Sequence, residues 1–263
     1  MKLSDKHLPT TEIKLELKQL KSLRSLNVLA AAFHLALIFA LTQIGLDQQV
    51  TLQTYTTTFD NTGTASVAVD DVAQIDIGHF VIGYLAIAAV AHVASATVLW
   101  RRYVNYIKQH RNPLRWVEYS VSCSLMLVAL AISSGIANVY VLVAIFFASA
   151  VMNLTGLVFE NINRHTGKTF WSPFVLGSVL FVMPWAIMLH HLQSSQAAQQ
   201  LFDNAEIVHY VTITLFSLFP IVMALAALRV GPWRSYVTTE LSYITLSFVA
   251  KSALAMFLYF NFF

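Results

Sequence analysis

The residue of this chain best suited to chemistry is a single lysine in the middle of an apolar segment. Lys251 lies within the run Tyr243–Met256, about twelve residues before Phe263. If the segment is helical, the amine lies about 18 Å from that helix end, which is farther than a snorkelling side chain reaches. A lysine held at such a depth requires either a carboxylate partner or a covalent bond to its nitrogen.

The acid expected to pair with this lysine is Glu118, in the segment Arg115–Ser120. It is the one acid that the hydropathy pattern places well inside an apolar stretch. Counted from the outer helix ends, Glu118 and Lys251 are offset by about seven residues, or roughly 10 Å, which a modest helix tilt can close. The geometry therefore permits the pair, and a separate Glu118 that snorkels to the surface is the alternative.

Two histidines at a similar depth extend this polar set. His34 lies about eight residues into the first apolar stretch, and His92 lies about eight residues before the inner end of the second. With Glu118 they predict a polar cavity on the inner side of the lysine, where histidine can hold or release a proton near neutral pH. Ser247, one turn before the lysine, and Ser122, one turn after Glu118, point toward the same faces and are also candidate site residues.

Two other interpretations of the histidines stay open. Each one can be an isolated membrane histidine that only hydrogen-bonds a neighbouring group. His34, His92 and Glu118 could also ligate zinc, although the three ligands would come from three separate helices and show no motif spacing.

The elements that position these residues are predicted by composition. Of the 263 residues, 57% are hydrophobic and only 11% are charged, well below the roughly 25% of a soluble domain. A bilayer core about 30 Å thick requires about 20 apolar residues per helix. Seven stretches meet this requirement, at 26–45, 78–100, 114–135, 138–159, 169–190, 207–228 and 240–262. The chain is therefore predicted to be an all-α membrane protein, a seven-transmembrane-helix bundle that forms one domain over residues 1–263.

The basic residues predict the direction in which the bundle crosses the cell membrane, because loops that stay in the cytoplasm retain Lys and Arg. Fifteen of the sixteen lie before the first span or between spans two and three, four and five, and six and seven. The N-terminus is therefore predicted to be cytoplasmic, with residues 1–25 as an inner segment, and the C-terminus to be outside. The pI near 9.0 does not indicate nucleic-acid binding, because the basic residues are dispersed over short loops.

The loop between the first two spans, residues 47–77, is predicted to fold as a β-hairpin outside the membrane. Residues Val50–Phe59 are mostly strand formers, Asp60–Gly63 supply turn residues, and Ser66–Val69 resume an extended pattern. A disordered threonine-rich loop is the alternative.

A lysine in the middle of the seventh helix, facing an acid on the third, is the arrangement that binds retinal as a protonated Schiff base, because the carboxylate stabilises the positive charge. Other segments extend the pattern to the remaining helices. They are Phe33-His34-Leu35, Ala91-His92, Asn112 through Ser120, Met183-Pro184-Trp185 and Ser247 through Ala255. Over all seven helices the sequence resembles the heliorhodopsins, and the inverted topology agrees with that family, whose N-terminus lies inside.

The resemblance implies a role for each candidate residue. Lys251 would carry covalent all-trans retinal, Glu118 would be its counterion, and Ser247 would contact the Schiff base. Further residues would form the pocket or the inner cavity: Tyr119, Met152, Gly156, Trp185, His34 and His92. The family also implies a homodimer in which the hairpin reaches the partner subunit. Ala88 and Ser149 stand where some members have a more polar residue, which affects the hydrogen bonds of the cavity.

The function expected from these features is light sensing, with no enzymatic activity. Light would isomerise the retinal, the Schiff-base proton would move to an inner acceptor near Glu118, His34 and His92, and the altered cytoplasmic face would act on a signalling partner. An outward pump is not favoured, because the outer halves of the spans contain no acid. A light-gated proton channel or transporter is the first alternative. A light-independent scaffold that binds lipid or carotenoid and leaves Lys251 free is the second.

Overall fold

The computed structural model describes residues 15–45, 49–164, 168–194 and 205–261, so residues 1–14 of the predicted inner segment lie outside it. The helices in these ranges are α1 (Leu17–Ile44), α2 (Ile77–Ala96), α3 (Trp100–Lys108), α4 (Pro113–Ser133), α5 (Val139–Asn163), α6 (Ser172–Ser194), α7 (Ala205–Ala227) and α8 (Tyr236–Asn261). The strands are β1 (Gln49–Phe59) and β2 (Ala65–Asp76), and a single 3₁₀ turn covers Gly231–Arg234.

All of these helices except α3 are long and apolar enough to cross a membrane, which confirms the predicted seven spans. Span three is therefore α4, and span seven is α8. Large apolar side chains such as Leu29, Phe39 and Val182 are exposed on the outside of the bundle. Lipid tails, unlike water, solvate such a surface well. The chain is accordingly an integral, multi-pass membrane protein.

The second span is shorter than predicted. The sequence suggested residues 78–100, but α2 ends at Ala96 and the chain turns before it continues as α3. Helix α3 buries Tyr103 and Ile107 and exposes charged residues such as Arg101. Only a narrow face of α3 is apolar, so α3 is not suited to continue the second span through the membrane. It covers the end of the bundle instead. We call the end that carries α3, where α1, α4 and α8 begin, the basic end, and the opposite end the hairpin end.

The predicted β-hairpin is confirmed, and its two strands are regularly paired. Strands β1 and β2 pair in antiparallel register from Gln49 opposite Asp76 to Phe59 opposite Ala65. The strand β2 is longer than its sequence pattern indicated and runs directly into α2, where Asp76 caps the helix by accepting from the Gly78 amide at 2.8 Å. The threonine-rich loop is therefore not disordered over the residues described.

The core of the bundle is organised around α4, the most buried of the seven spans. Helix α4 packs between α2 and α5, while α8 packs against α1 and α7. Trp116, Tyr119 and Met126 on α4 belong to the main hydrophobic cluster of the bundle. The side chains of Glu118 and Lys251 are therefore carried by two helices near the centre of the protein.

Candidate functional site

The two central candidate residues are in direct contact. Lys251 Nζ lies 2.6 Å from Glu118 Oε1 and donates a second hydrogen bond to Ser247 Oγ at 3.0 Å. The side chains of the lysine and the glutamate are only 1% and 8% exposed. The offset between Glu118 and Lys251 along their helices therefore does not keep the two side chains apart. The structure has the ion pair and not a separate Glu118 that snorkels to the surface.

Local features of α4 and α8 explain this position. Helix α4 begins at Pro113, and the Asn112 side chain caps it by accepting from the Arg115 amide at 3.3 Å. Ser247 precedes the lysine by one turn on α8, so both side chains lie on one face of that helix. The Tyr84 hydroxyl donates to the Lys251 carbonyl at 3.3 Å, which ties α2 to α8 beside the amine.

The ion pair lies between two cavities of different character. Lys251 and Ser247 line a cavity of about 940 Å³, including its open side, whose other walls are mostly apolar residues of α4, α5, α6 and α7. Glu118 lines a smaller space of about 340 Å³ that has many polar walls and extends toward the basic end, where Tyr103, Asn112 and Glu240 line it. Tyr119 borders both cavities, and its ring centroid lies 4.9 Å from Lys251 Nζ.

The walls of the larger cavity are shaped by close helix contacts. A Cβ atom on Gly156 would lie 2.4 Å from Cζ3 of Trp116, so only glycine allows this ring to lie against α5. A Cβ atom on Gly177 of α6 would similarly lie 2.5 Å from the Thr155 hydroxyl. Both glycines line the cavity. A largely apolar space with an amine at one wall suits a polyene aldehyde such as retinal, whose carbonyl carbon reacts with amines.

The other residues expected in the pocket occupy three kinds of position. Met152 and Gly156 line the apolar cavity. Trp185 lies behind its wall, with ring centroids 6.0 Å from Phe181 and 5.7 Å from Phe216, both of which line the cavity. Three further positions are fully buried nearby: Ser122, Ala88 and Ser149. The hydroxyl of Ser122 has no hydrogen-bond partner within the part of the chain that is described.

The two histidines lie close together, but they differ in their surroundings. Their ring centroids are 5.8 Å apart. His92 lines the polar cavity with Glu118, and its Nδ1 lies 2.8 Å from Asn27 Oδ1. His34 lies behind it, against the ring of Phe248 at 6.0 Å. Over the described ranges, no three His, Cys, Asp or Glu side chains are grouped as a metal ion would require, so the zinc alternative gains no support.

A second group of buried charges was missed by the sequence analysis. Arg115 forms salt bridges with both Glu160 and Glu240, and the two carboxylates are only 9% and 2% exposed. Glu118 is therefore not the only acid well inside the bundle, because burial depends on how helix ends pack and not on distance along one span. The sequence contained a signal for this second group. Arg115 precedes Glu118 by three residues, so both lie on one face of α4, and Glu240 precedes Lys251 by eleven, so both lie on one face of α8.

The fold and the site together define a seven-helix membrane protein with a buried lysine and carboxylate, the class of retinal photoreceptors. The sequence profile of the heliorhodopsins matches residues 23–263, and the chain belongs to this family. It is a photoreceptor-type protein whose family implies a retinal chromophore.

The other comparisons are less informative. No curated protein sequence matches the chain. Among solved structures, it is similar to the crystal structure of a light-driven proton pump from Leptosphaeria maculans, with a TM-score of 0.49 and 13% identity over 93% of this chain and 94% of the other.

Proposed function

We propose that Lys251 carries all-trans retinal as a protonated Schiff base and that Glu118 is the counterion. The contact of 2.6 Å between Lys251 Nζ and Glu118 Oε1, in a setting almost closed to solvent, is the observation that carries this proposal. Burial makes an unpaired charge costly, so the carboxylate keeps the nitrogen protonated in the dark. Ser247 adds a second acceptor for the same nitrogen.

The bound retinal supplies the absorption of visible light and a double bond that isomerises. Tyr119, Met152 and Gly156 flank the space next to the amine, and Trp185 holds the Phe216 ring from behind. Ser122, which is fully buried one turn after Glu118, belongs to the same protein layer. These side chains exclude water and orient the ligand relative to Nζ.

We further propose that the proton of Lys251 Nζ moves toward the polar cavity after illumination. Glu118 and His92 line this cavity, and the His34 ring lies directly behind His92. The cavity extends toward the basic end, which the distribution of Lys and Arg predicts to face the cytoplasm. A charge change there alters the surface that a cytoplasmic signalling partner would contact, in a protein that we expect to be a homodimer.

Conduction of protons is the second candidate function, because one observation favours it. The polar cavity reaches from Glu118 to Glu240, so it forms half of a path between the Schiff base and the basic end. Recording photocurrents at both signs of voltage separates the two functions. A steady light-driven current would favour a channel or transporter, and its absence would favour the sensor.

The experiment that tests the proposal is reconstitution of the full chain with all-trans retinal. We expect a visible absorption band that Lys251→Ala abolishes. Lys168→Ala is the matched control, because that lysine is exposed outside the spans and its loss leaves the band unchanged. A band that persists in Lys251→Ala would refute the assignment of the chromophore to this lysine.

A further inference from the structure

The group formed by Arg115, Glu160 and Glu240 contains more acids than bases. Arg115 is the one cation that bridges the two carboxylates, and among the residues described no other Lys or Arg forms a salt bridge with either acid. Lys251 is already neutralised by Glu118. With both acids ionised, this cluster would hold one unbalanced negative charge in a region closed to solvent. Such a charge is avoided when one of two neighbouring carboxyls binds a proton.

Hydrogen bonds distinguish the two acids. Glu160 accepts from the Trp116 indole at 2.7 Å, the Asn112 amide at 3.0 Å and the Tyr236 hydroxyl at 3.0 Å, in addition to Arg115. The indole and the backbone amide can only donate, and this stabilises Glu160 as a carboxylate.

Glu240 has fewer donors. Besides Arg115, it accepts from the Asn112 side chain at 2.7 Å and the Tyr103 hydroxyl at 3.1 Å. Each acid has one tyrosine hydroxyl, which can also accept a hydrogen bond and so can remain bonded to a protonated acid. Apart from Arg115, Glu160 has two partners that can only donate, whereas Glu240 has one, the Asn112 side-chain amide. The proton is therefore better accommodated on Glu240 than on Glu160.

Glu240 also shares a cavity with a second titratable group. It lines the polar cavity together with Glu118 and His92. The amide nitrogen of Asn27 donates to the Leu23 carbonyl at 2.8 Å, so its oxygen faces His92 Nδ1, which must then carry the ring hydrogen. His92 Nε2 is left as a buried base with no hydrogen-bond partner among the described residues.

We propose that the Arg115, Glu160 and Glu240 cluster is a second proton site, which holds one proton on Glu240 in the dark and exchanges it through the polar cavity. In the exchange, the O–H bond of Glu240 breaks and an N–H bond forms at His92 Nε2. The titratable or charged groups that face this site or its cavity are Tyr103 on α3, Arg115, Glu118 and Tyr119 on α4, Glu160 on α5, His92 on α2 and Tyr236 and Tyr243 on α8. The proton on Glu240 in the dark does not depend on the function proposed above, whereas the coupling of its exchange to light rests on that function.

The test is solid-state carbon NMR of the full-length pigment in the dark at neutral pH, with the side-chain carboxyl carbon of glutamate labelled. Protonated and ionised carboxyl groups give separate signals, and we expect one protonated glutamate. Glu240→Gln should remove this signal. Glu160→Gln should remove it too, because the remaining acid and Arg115 then balance. Glu206→Gln, which changes an exposed glutamate on α7, should leave the signal in place.

The absence of a protonated glutamate in the wild-type pigment would overturn the proposal without the use of any variant. Persistence of the signal in Glu240→Gln or Glu160→Gln would overturn it as well, provided that the variant forms its visible band. A wild-type protein with no visible band contradicts the proposed function instead, so the two failures are distinguishable.

Discussion

Helix α8 contributes Lys251 to one group of buried charges and Glu240 to another, and the two groups differ in their surroundings. Lys251 is paired with one carboxylate and borders a large apolar cavity, so its nitrogen has space for a bonded ligand. Arg115 is paired with two carboxylates and packed against aromatic rings, 4.9 Å from the Trp116 centroid and 4.0 Å from that of Tyr243. One group leaves space for a ligand at its nitrogen, and the other joins three helices.

The difference follows from the two cations. A lysine nitrogen can lose its proton and form a covalent bond, whereas a guanidinium stays charged and donates several hydrogen bonds in fixed directions. Arg115 joins α4 to α5 and α8 at the basic end. Variants at the two groups should therefore affect different properties, and the predictions below are ordered by the expected size of the effect.

Arg115→Ala should have the largest effect on stability. It leaves Glu160 and Glu240 buried without their cation, and breaking a buried pair costs about 3–5 kcal/mol. Thermal denaturation in detergent, compared with wild type, measures the change. Arg101→Ala removes an exposed arginine of α3 and should change stability by at most about 0.5 kcal/mol. Equal midpoints for the two variants would show that the cluster is not a structural clamp.

Glu118→Gln should affect the colour more than the fold. The loss of a hydrogen bond to a charged group costs about 1.5–3 kcal/mol, and the Schiff-base nitrogen stays protonated beside a neutral amide. Weaker stabilisation of the ground-state charge should move the visible band to longer wavelength. Absorption spectra of the reconstituted variant test this, with Glu206→Gln as the control. An unmoved band would assign the counterion role to another group.

Gly156→Ala tests whether the shape of the apolar cavity matters separately from its charges. The new methyl would overlap the Trp116 ring, and such overpacking costs about 1–3 kcal/mol. Retinal uptake, followed as growth of the visible band, should be slower or incomplete. Gly83→Ala is the matched control, because its Cβ would meet only Leu125 at an ordinary 3.7 Å. Unchanged uptake in Gly156→Ala would mean that Trp116 does not border the ligand.

The smallest effect is expected at Asp60, an exposed carboxylate that serves as a reference for the buried ones. Hydrogen bonds from the Thr62 hydroxyl and the Thr62 and Thr64 amides lower the pKa of Asp60 in the hairpin turn. A lowered pKa means that Asp60 stabilises the turn above its ordinary pKa, and that this is lost as the pH falls through the folded value.

Hydrogen-exchange protection of the Thr62 and Thr64 amides, corrected for the intrinsic pH dependence of exchange, should therefore decrease in acid. In Asp60→Asn, which keeps a side-chain oxygen but cannot titrate, this additional decrease should be absent. The same acid-dependent loss in the variant would exclude Asp60 as its cause.

The sequence predicted the parts of this molecule that depend on segment length and local chemistry. Seven apolar stretches were visible because each must cross about 30 Å of hydrocarbon. The hairpin was recognisable from its strand formers and the turn at Asp60. Each of these features involves residues that are close together in the chain.

The parts that the sequence did not predict depend on contacts between helices. Glu160 and Glu240 lie at the ends of apolar stretches and were not singled out, but α3 and the start of α4 cover them. The end of α2 at Ala96 was missed because Val98 and Leu99 continue the apolar run past the turn. The contact between Lys251 and Glu118 was permitted by sequence depth alone, and its distance required the packed bundle.

The most direct measurement of the central claim is to trap the linkage and locate it. The pigment formed with all-trans retinal is reduced with borohydride, which converts a Schiff base into a stable amine, and is then digested for mass spectrometry. The account predicts a retinyl group on the peptide that contains Lys251 and none on the peptide that contains Lys168. A coloured protein whose adduct lies on another lysine, or that yields no adduct, would contradict it.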